Sequence, residues 1–380
     1  MTKTNEELLK ERQNRIEKSL AFEKVDRVPF LFSGPGYAPV AQGLTLADFC
    51  AKPDEALAAS IDTMDDICAV AEIDGINTTQ AGCFPCLLTE QWWAKVDIPG
   101  FELPDNDLWQ VAEKEVMKPE DYDYILDNGW KAYLDVIRPK VHNPELLQIH
   151  ADWMEKNVPT LGKRYRDRGY EPLVGAVTEI PFETVCGGRS MGKFFRDCYK
   201  MPDKVEDVLK LGMPFWIDLA INASRACGVM GVWVGGWRAA SNMVSPKIWN
   251  RFVWPYYVEL VEKLHEAGVR SVLHFDSNWD RDIERFLELP KGACVLSTDG
   301  STDLRRARDI LGDHMPVLGD VPSSILAAGS PDDVRAYVRD LIKDLGKTGL
   351  VMNTGCDMPY NTPKANVDAL VLATHEFGSA

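Results

Sequence analysis

Positively charged residues are too few in this sequence to balance its negatively charged residues. Its 380 residues include 42 Lys and Arg against 58 Asp and Glu, which gives a formal net charge of −16. A surface this acidic disfavours nucleic acids and anionic membranes as partners. Long apolar runs are missing as well, and none reaches the roughly 18 residues that a membrane-spanning helix needs.

Signals for export and for disulfide bonding are also missing. The amino-terminal residues are charged and lack the apolar stretch of a secretory signal. The nine cysteines are an odd number without regular spacing, which is typical of reduced thiols inside the cell. We therefore expect a cytoplasmic protein.

What the chain does contain is a repeated alternation of short apolar runs and longer helical patterns. The runs show little polar alternation, as expected for parallel strands that are buried on both faces. Eight of them lie at residues 28–32, 75–79, 172–178, 230–234, 269–274, 293–297, 315–318 and 349–353. This pattern predicts an α/β fold, namely a (β/α)₈ TIM barrel formed by a single domain over residues 1–380.

The second and third runs are too far apart to be joined by one helix. Residues 84–170 contain a Trp–Trp pair, an acidic loop and two long helical patterns. Long insertions in barrels belong to the loops of the catalytic face. We predict that this segment is a helical lid inserted after the second strand.

Two distant segments end in side chains that bind metals. The run at 271–276 ends in His274 and Asp276, and a second run ends in Cys356. TIM barrels hold their active sites at such carboxyl ends of strands. His, Asp and Cys together suit zinc better than magnesium or calcium, which prefer oxygen ligands. The alternative is structural, because His-x-Asp pairs also anchor loops and buried cysteines are mostly inert.

Other carboxylates follow the predicted strands at the same end of the barrel. Glu179 and Glu183 come after the third strand, Asp299 after the sixth and Asp320 after the seventh. Crowded carboxylates raise one another's pKa values, which suits proton transfer. We predict catalytic roles for Glu179, Asp299 and Asp320. The alternatives are helix capping for the glutamate and loop formation for the aspartates.

Aromatic residues are concentrated in the loops of this face. The group consists of Trp92, Trp93, Trp233, Trp237, Trp279 and Tyr360. Core packing explains most tryptophans, but six aromatic side chains near one rim favour a pocket for a flat apolar ligand. We predict that Trp92, Trp93, Trp237 and Tyr360 bind the substrate.

Several segments together resemble the uroporphyrinogen decarboxylase superfamily along nearly the whole chain. They are residues 24–29, 272–276, 316–326 and 353–367. The resemblance implies the barrel fold. Decarboxylases of this superfamily carry an arginine-rich early loop that holds substrate carboxylates, whereas residues 32–39 contain no arginine. Decarboxylation of a substrate with eight carboxylates is therefore not expected.

The other branch of the superfamily comprises corrinoid-dependent methyltransferases. Its thiol-methylating members have His-x-Cys on the fifth strand and Gly-Cys on the eighth, and this chain keeps His274 and Cys356 but has Asp276 in the place of the first cysteine. A zinc ion with fewer thiolate ligands is a stronger Lewis acid. The resemblance thus implies an O-demethylase component that transfers methyl from an aryl methyl ether to the Co(I) corrinoid (cobalamin) of a partner protein, with His274, Cys356 and Asp276 holding Zn²⁺.

Three alternatives remain at this point. The chain could be a methylcorrinoid-to-thiol methyltransferase, a decarboxylase-like lyase, or a binding protein that kept the barrel and lost its chemistry. The sequence also leaves open which methyl donor is used, which corrinoid protein docks and whether the barrel forms a homodimer. It does not decide whether Asp276 or Glu179 is the carboxylate that ligates the metal.

Overall fold

The computed structural model describes residues 3–79 and 82–380, and its centre is a ring of eight parallel strands. We number them β1 to β8, and β3 consists of two segments. Their bounds are Leu31–Phe32 (β1), Gly75–Thr78 (β2), Glu171–Val174 and Ala176–Glu179 (β3), Gly231–Gly236 (β4), Arg270–Phe275 (β5), Cys294–Thr298 (β6), Val317–Leu318 (β7) and Leu350–Val351 (β8).

The ring is closed through two junctions. At β3, the first segment pairs with β2 and the second with β4, and the backbone N–H of Gly175 between them donates to the carbonyl of Gly231. At β8, a parallel bridge joins Met352 to Phe30 beside β1. All other neighbours pair in sequence order. The prediction of a (β/α)₈ barrel is confirmed.

The barrel interior is filled by branched apolar side chains from most of the strands, as is usual for this fold. Ile16 and Leu20 of the first helix pack into the same cluster, so this helix closes the amino-terminal end of the barrel. The cluster contains Ile16, Leu20, Leu31, Leu173, Val174, Val272, Val295, Leu318 and Val351.

Helices surround the strands and begin at recognisable capping signals. Ser330 accepts a hydrogen bond from the N–H of Asp333 and is followed by a proline at the first helical position. The α-helices outside residues 84–170 are Asn5–Leu20, Tyr37–Ala41, Leu46–Ala51, Pro53–Val70, Pro181–Arg189, Met191–Lys200, Pro202–Cys227, Pro246–Phe252, Trp254–Glu266, Leu304–Leu311, Ser323–Ala328, Pro331–Leu345 and Lys364–Gly378, with a 3₁₀ stretch at Asp280–Glu288. Among the residues described, no helix is both long and apolar enough to cross a bilayer.

The segment between β2 and β3 builds a layer of its own. It contains an antiparallel pair of short strands, Lys95–Asp97 with Gln110–Ala112, and the helices Phe84–Trp92, Pro119–Asn128, Trp130–Val141 and Pro144–Arg166. A separate apolar cluster around Phe49 and Trp109 packs this segment against the helix Leu46–Ala51. The segment starts at the carboxyl end of β2, which is the end at which TIM barrels hold their sites.

Candidate metal centre

His274, Asp276 and Cys356 meet at the carboxyl end of the barrel. His274 lies near the end of β5, Asp276 directly follows that strand, and Cys356 lies in the loop after β8. One potential ligand atom from each residue lies within 4.8 Å of the other two. One of these contacts joins His274 Nε2 to Asp276 Oδ1 at 3.4 Å. The parallel topology thus brings together donors that are about 80 residues apart in the chain.

The imidazole of His274 is held in a fixed orientation. Its Nδ1 shares a 3.1 Å hydrogen bond with the hydroxyl of Ser297, and its ring stacks on Trp233 with centroids 5.2 Å apart. This leaves Nε2 as the ligating nitrogen, in the arrangement usual for histidines at metal sites. Burial opposes the charged form, but Asp276 and Cys356 together raise the pKa of His274 well above its ordinary value.

Cys356 reaches the centre because a glycine precedes it. A Cβ at Gly355 would lie 3.0 Å from the carbonyl carbon of Asp299, so a larger residue would push the two loops apart. The N–H of Gly355 also donates to the carbonyl of Val321 at 2.8 Å. Burial and the neighbouring Asp276 carboxylate raise the pKa of the Cys356 thiol, and the His274 imidazolium partly offsets that rise.

A fourth titratable side chain, Asp357, borders the centre and is not among the residues predicted from the sequence. Its carboxylate accepts a 3.1 Å hydrogen bond from the hydroxyl of Ser33 in the loop after β1. Burial raises the pKa of Asp357 to about 6, although the charge of His274 acts in the opposite direction. The signal in the sequence was its position directly after the predicted ligand Cys356.

Asp299 and Asp320 have partners other than the three donors. The Asp299 carboxylate accepts the N–H groups of Ser277 and Ser301 and so connects the loops after β5 and β6. Asp320 accepts from the hydroxyl of Tyr337, on a surrounding helix, at 2.7 Å. The structure therefore gives Asp299 a clear role in shaping the loops beside the metal centre. The catalytic roles of Asp299 and Asp320 stay predictions.

Glu179 and Glu183 are both fully buried but differ in their hydrogen bonding. Glu183 accepts the backbone N–H groups of Trp237, Arg238 and Ala239 at 2.7, 3.0 and 2.8 Å. Glu179 accepts from the hydroxyl of Thr184 through Oε1, whereas its Oε2 makes no hydrogen bond of good geometry within the described chain. Burial and the adjacent Glu183 raise the pKa of Glu179 well above its ordinary value, although the nearby Trp92 side chain lowers it.

The predicted aromatic residues divide into two groups. Trp92 and Trp237 are half-buried and their ring centroids lie 5.4 Å apart. Tyr360 is also half-buried and contacts the apolar cluster of the inserted segment. Trp93 is only 1% exposed and packs on Trp130 with centroids 4.5 Å apart. The structure therefore places Trp93 in the packing against the helix Trp130–Val141, apart from the half-buried aromatic residues.

Residues 172–377, more than half of the chain, match the family model described as Uroporphyrinogen decarboxylase (URO-D). The chain belongs to the uroporphyrinogen decarboxylase family. It is 24% identical over 358 residues to the uroporphyrinogen decarboxylase of Geobacter sulfurreducens, which covers 90% of both chains. It is 27% identical over 218 residues to that of Syntrophotalea carbinolica, covering 54% of this chain and 60% of the relative.

Solved structures support the same architecture. A methyltransferase from Methanosarcina mazei superposes with a TM-score of 0.70 and 17% sequence identity, covering 96% of this chain and 98% of the neighbour. At that identity the likeness establishes the barrel fold of this family member and leaves its reaction to be argued from its own side chains.

Asp320 provides a pH test of this family member's folded state. Burial raises the pKa of Asp320 to about 7 from 3.8, although Tyr337 opposes the rise. Between these values the folded chain holds a proton that the unfolded chain has lost. The free energy of unfolding therefore falls as pH increases, by up to about 1.4 kcal/mol per pH unit from this group.

We expect the Asp320→Asn variant to lose this slope between about pH 4 and pH 7 and to be more stable than the wild type at pH 8. Urea unfolding followed by circular dichroism at several pH values measures both quantities. Parallel stability curves for the two proteins would contradict the prediction.

Proposed function

We propose that this protein is a methyltransferase that removes the methyl group of an aryl methyl ether and passes it to the Co(I) corrinoid of a partner protein. The observation that carries the proposal is the convergence of His274, Asp276 and Cys356 at the barrel mouth. Half-buried tryptophans on the same face supply a surface for a flat ring. The methyltransferase from Methanosarcina mazei, with the same fold, supports this choice within the family.

The three donors fit a zinc ion. Ligand atoms around tetrahedral zinc lie about 3.3–3.8 Å apart, as the bond lengths of about 2.0–2.3 Å require. His274 Nε2 and Asp276 Oδ1 meet this spacing at 3.4 Å. The sulfur of Cys356 lies within 4.8 Å of both, so closure needs a movement of about 1.5 Å at most. Zinc held there would supply a Lewis acid for the ether oxygen of the substrate.

The residues of this chain would bind the substrate and handle its proton. Trp92, Trp237 and Tyr360 would contact the aromatic ring, and residues 84–170 would cover it from water. Glu179 pairs in register with Gly235, and Gly235 with His274, so Glu179 and His274 lie in one layer of the mouth about 10 Å apart. We propose Glu179 as the group that gives a proton to the departing oxygen, because burial and the adjacent Glu183 raise its pKa and so favour its protonated form.

The reaction balances without an external oxidant or reductant. The bond between the methyl carbon and the ether oxygen breaks, and its electron pair stays on oxygen, which takes a proton to give a phenol. The new carbon–cobalt bond takes its electron pair from Co(I), which becomes methylated Co(III). Asp299 and Asp320 remain the proposed groups for proton exchange at the rim.

A screen of methoxyarenes with reduced cobalamin tests the proposal. We expect the absorbance of methylcobalamin to appear with at least one methoxyarene and to depend on added zinc. Asp276→Cys is the informative variant, because a second thiolate weakens the Lewis acid. It should lower ether demethylation and, if thiol methylation is latent in the scaffold, raise transfer from methylcobalamin to a thiol. Absence of methylcobalamin with every donor would reject the proposal.

Decarboxylation is the second candidate function, because the family and the relatives of known activity favour it. The loop after β1, residues 32–39, carries no arginine to hold the carboxylates of a porphyrinogen. We therefore expect no release of carbon dioxide from uroporphyrinogen. Turnover in that assay, together with no methyl transfer, would favour the decarboxylase.

A further inference from the structure

Arg238, in the loop after β4, is a buried cation with unused hydrogen-bonding capacity. It has no exposed surface, and its guanidinium lies over the rings of Trp237 and Trp92 at 4.3 and 5.0 Å. One nitrogen, Nη2, contacts Glu113 at 3.4 Å. Nε and Nη1 have no hydrogen-bond partner within the described part of the chain. Buried donors are rarely left in this state, since each carries a desolvation cost.

The loop that carries Arg238 is held rigidly beside the metal centre. The Glu183 carboxylate binds the N–H of Arg238 and of both of its neighbours. The N–H of Asp276 donates to the carbonyl of Gly236 at 2.8 Å, only two residues before Arg238. The backbone of this loop is therefore fixed beside Asp276, and the guanidinium lies against Trp92 and Trp237, the two tryptophans of the proposed ring site.

We propose that Arg238 binds a carboxylate of the substrate, so that the substrate class is an aromatic acid that carries a methoxy group. This inference rests on the proposed function and names its substrate more closely. Nε and Nη1 each carry N–H donors without a partner among the described residues, and a carboxylate oxygen can accept a charge-assisted hydrogen bond from such a donor. The tryptophan faces next to the guanidinium would hold the ring.

The surroundings favour a single carboxylate over a more highly charged group. Arg238 shares this region with Glu113, Glu179 and Glu183. A phosphate would bring two negative charges to one cation among these acidic groups. A carboxylate brings one charge, which the Nε and Nη1 donors of Arg238, unpaired within the described chain, can balance.

The test compares acids with their neutral amides. The three methoxybenzoates (2-, 3- and 4-methoxy) and the matching methoxybenzamides are titrated into the wild type and into the Arg238→Met variant, by calorimetry and tryptophan fluorescence. We expect at least one acid to bind the wild type about tenfold or more tightly than its amide. In Arg238→Met this preference should fall to about threefold or less, while binding of the amide stays the same.

If Arg238 had only a structural role, its substitution would change stability and would weaken the binding of acid and amide equally. The ratio of the acid affinity to the amide affinity therefore reports recognition of the carboxylate alone. Arg238→Lys keeps a cation without the planar fork and should retain an intermediate ratio, which provides a second variant should methionine disturb the packing. Arg196→Met, which removes an exposed arginine, is the matched control and should leave the ratio unchanged.

Equal binding of acids and amides by the wild type, binding of neither, or an unchanged ratio in Arg238→Met would overturn the inference. These titrations need neither cobalamin nor zinc. An acid preference without methyl transfer would uphold the role of Arg238 and reject the proposed function. Methyl transfer from neutral ethers without an acid preference would uphold the proposed function and reject the role of Arg238.

Discussion

Replacing Cys356 with serine is expected to abolish zinc binding and to lower methyl transfer by more than about 100-fold. Substitutions of residues that only orient metal ligands already cost 10–100-fold in affinity or activity, and Cys356 would be a direct ligand. A serine hydroxyl is a poor zinc ligand near neutral pH, whereas the thiolate binds strongly once the metal displaces its proton. Metal analysis of the purified protein and the cobalamin assay measure the two effects.

Two further substitutions are expected to have an intermediate effect and no effect on zinc binding. Ser297→Ala removes the hydroxyl that holds His274 Nδ1 and should weaken zinc binding by 10–100-fold while leaving all three ligands. Cys68→Ser removes another half-buried thiol and should change neither quantity, since Cys68 lies on the helix Pro53–Val70 outside the donor cluster. Full zinc content in Cys356→Ser would exclude Cys356 as a ligand.

The barrel could be predicted from sequence because its signal is repeated and local. Each strand lies in an apolar run that is too short to form one of the surrounding helices. The parallel topology then fixes which strand ends face the same side. For the same reason His274, Asp276 and Cys356 could be expected to lie close together without any knowledge of side-chain packing.

Positions within the loops could not be predicted in the same way. Trp92 and Trp93 are neighbours in sequence, yet Trp93 ends its helix with a φ of +45° and turns into the packing against Trp130. Asp320 follows its strand as predicted, but its carboxylate reaches Tyr337 on a helix. These outcomes depend on backbone turns and on partners distant in sequence, which no spacing rule specifies.

The role of Glu183 shows most clearly what a sequence leaves out. Its carboxylate binds three consecutive backbone N–H groups in the loop of the next strand, more than 50 residues away. Backbone groups carry no residue signature, so such an anchor can be found only in coordinates. The consequence for function is the fixed position of Arg238, which had no motif of its own.

The second large effect is expected at the opposite end of the barrel, where Asp74→Ala should destabilise the fold by about 3–5 kcal/mol. Asp74 is fully buried. Its carboxylate binds the guanidinium groups of Arg15 and Arg27 and the N–H of Phe30. Removing the carboxylate leaves two nearly buried cations with only the more exposed carboxylates of Glu72 and, for Arg15, Asp26 as counter-charges. The pair of arginines comes from the first helix and from the segment before β1, so the defect would loosen the amino-terminal end of the barrel.

Asp26→Ala is the matched control, because Asp26 also pairs with Arg15 but its side chain is 66% exposed. Exposed pairs contribute little, so this variant should lose about 1 kcal/mol or less. Urea unfolding of both variants gives the comparison, and zinc content of the folded protein should be unchanged in each because neither residue approaches the metal centre. Equal destabilisation by the two substitutions would show that burial does not set the strength of this network. A loss of zinc from folded Asp74→Ala would instead mean that the two ends of the barrel are coupled, since the amino-terminal end of such barrels ordinarily serves stability and the carboxyl end catalysis.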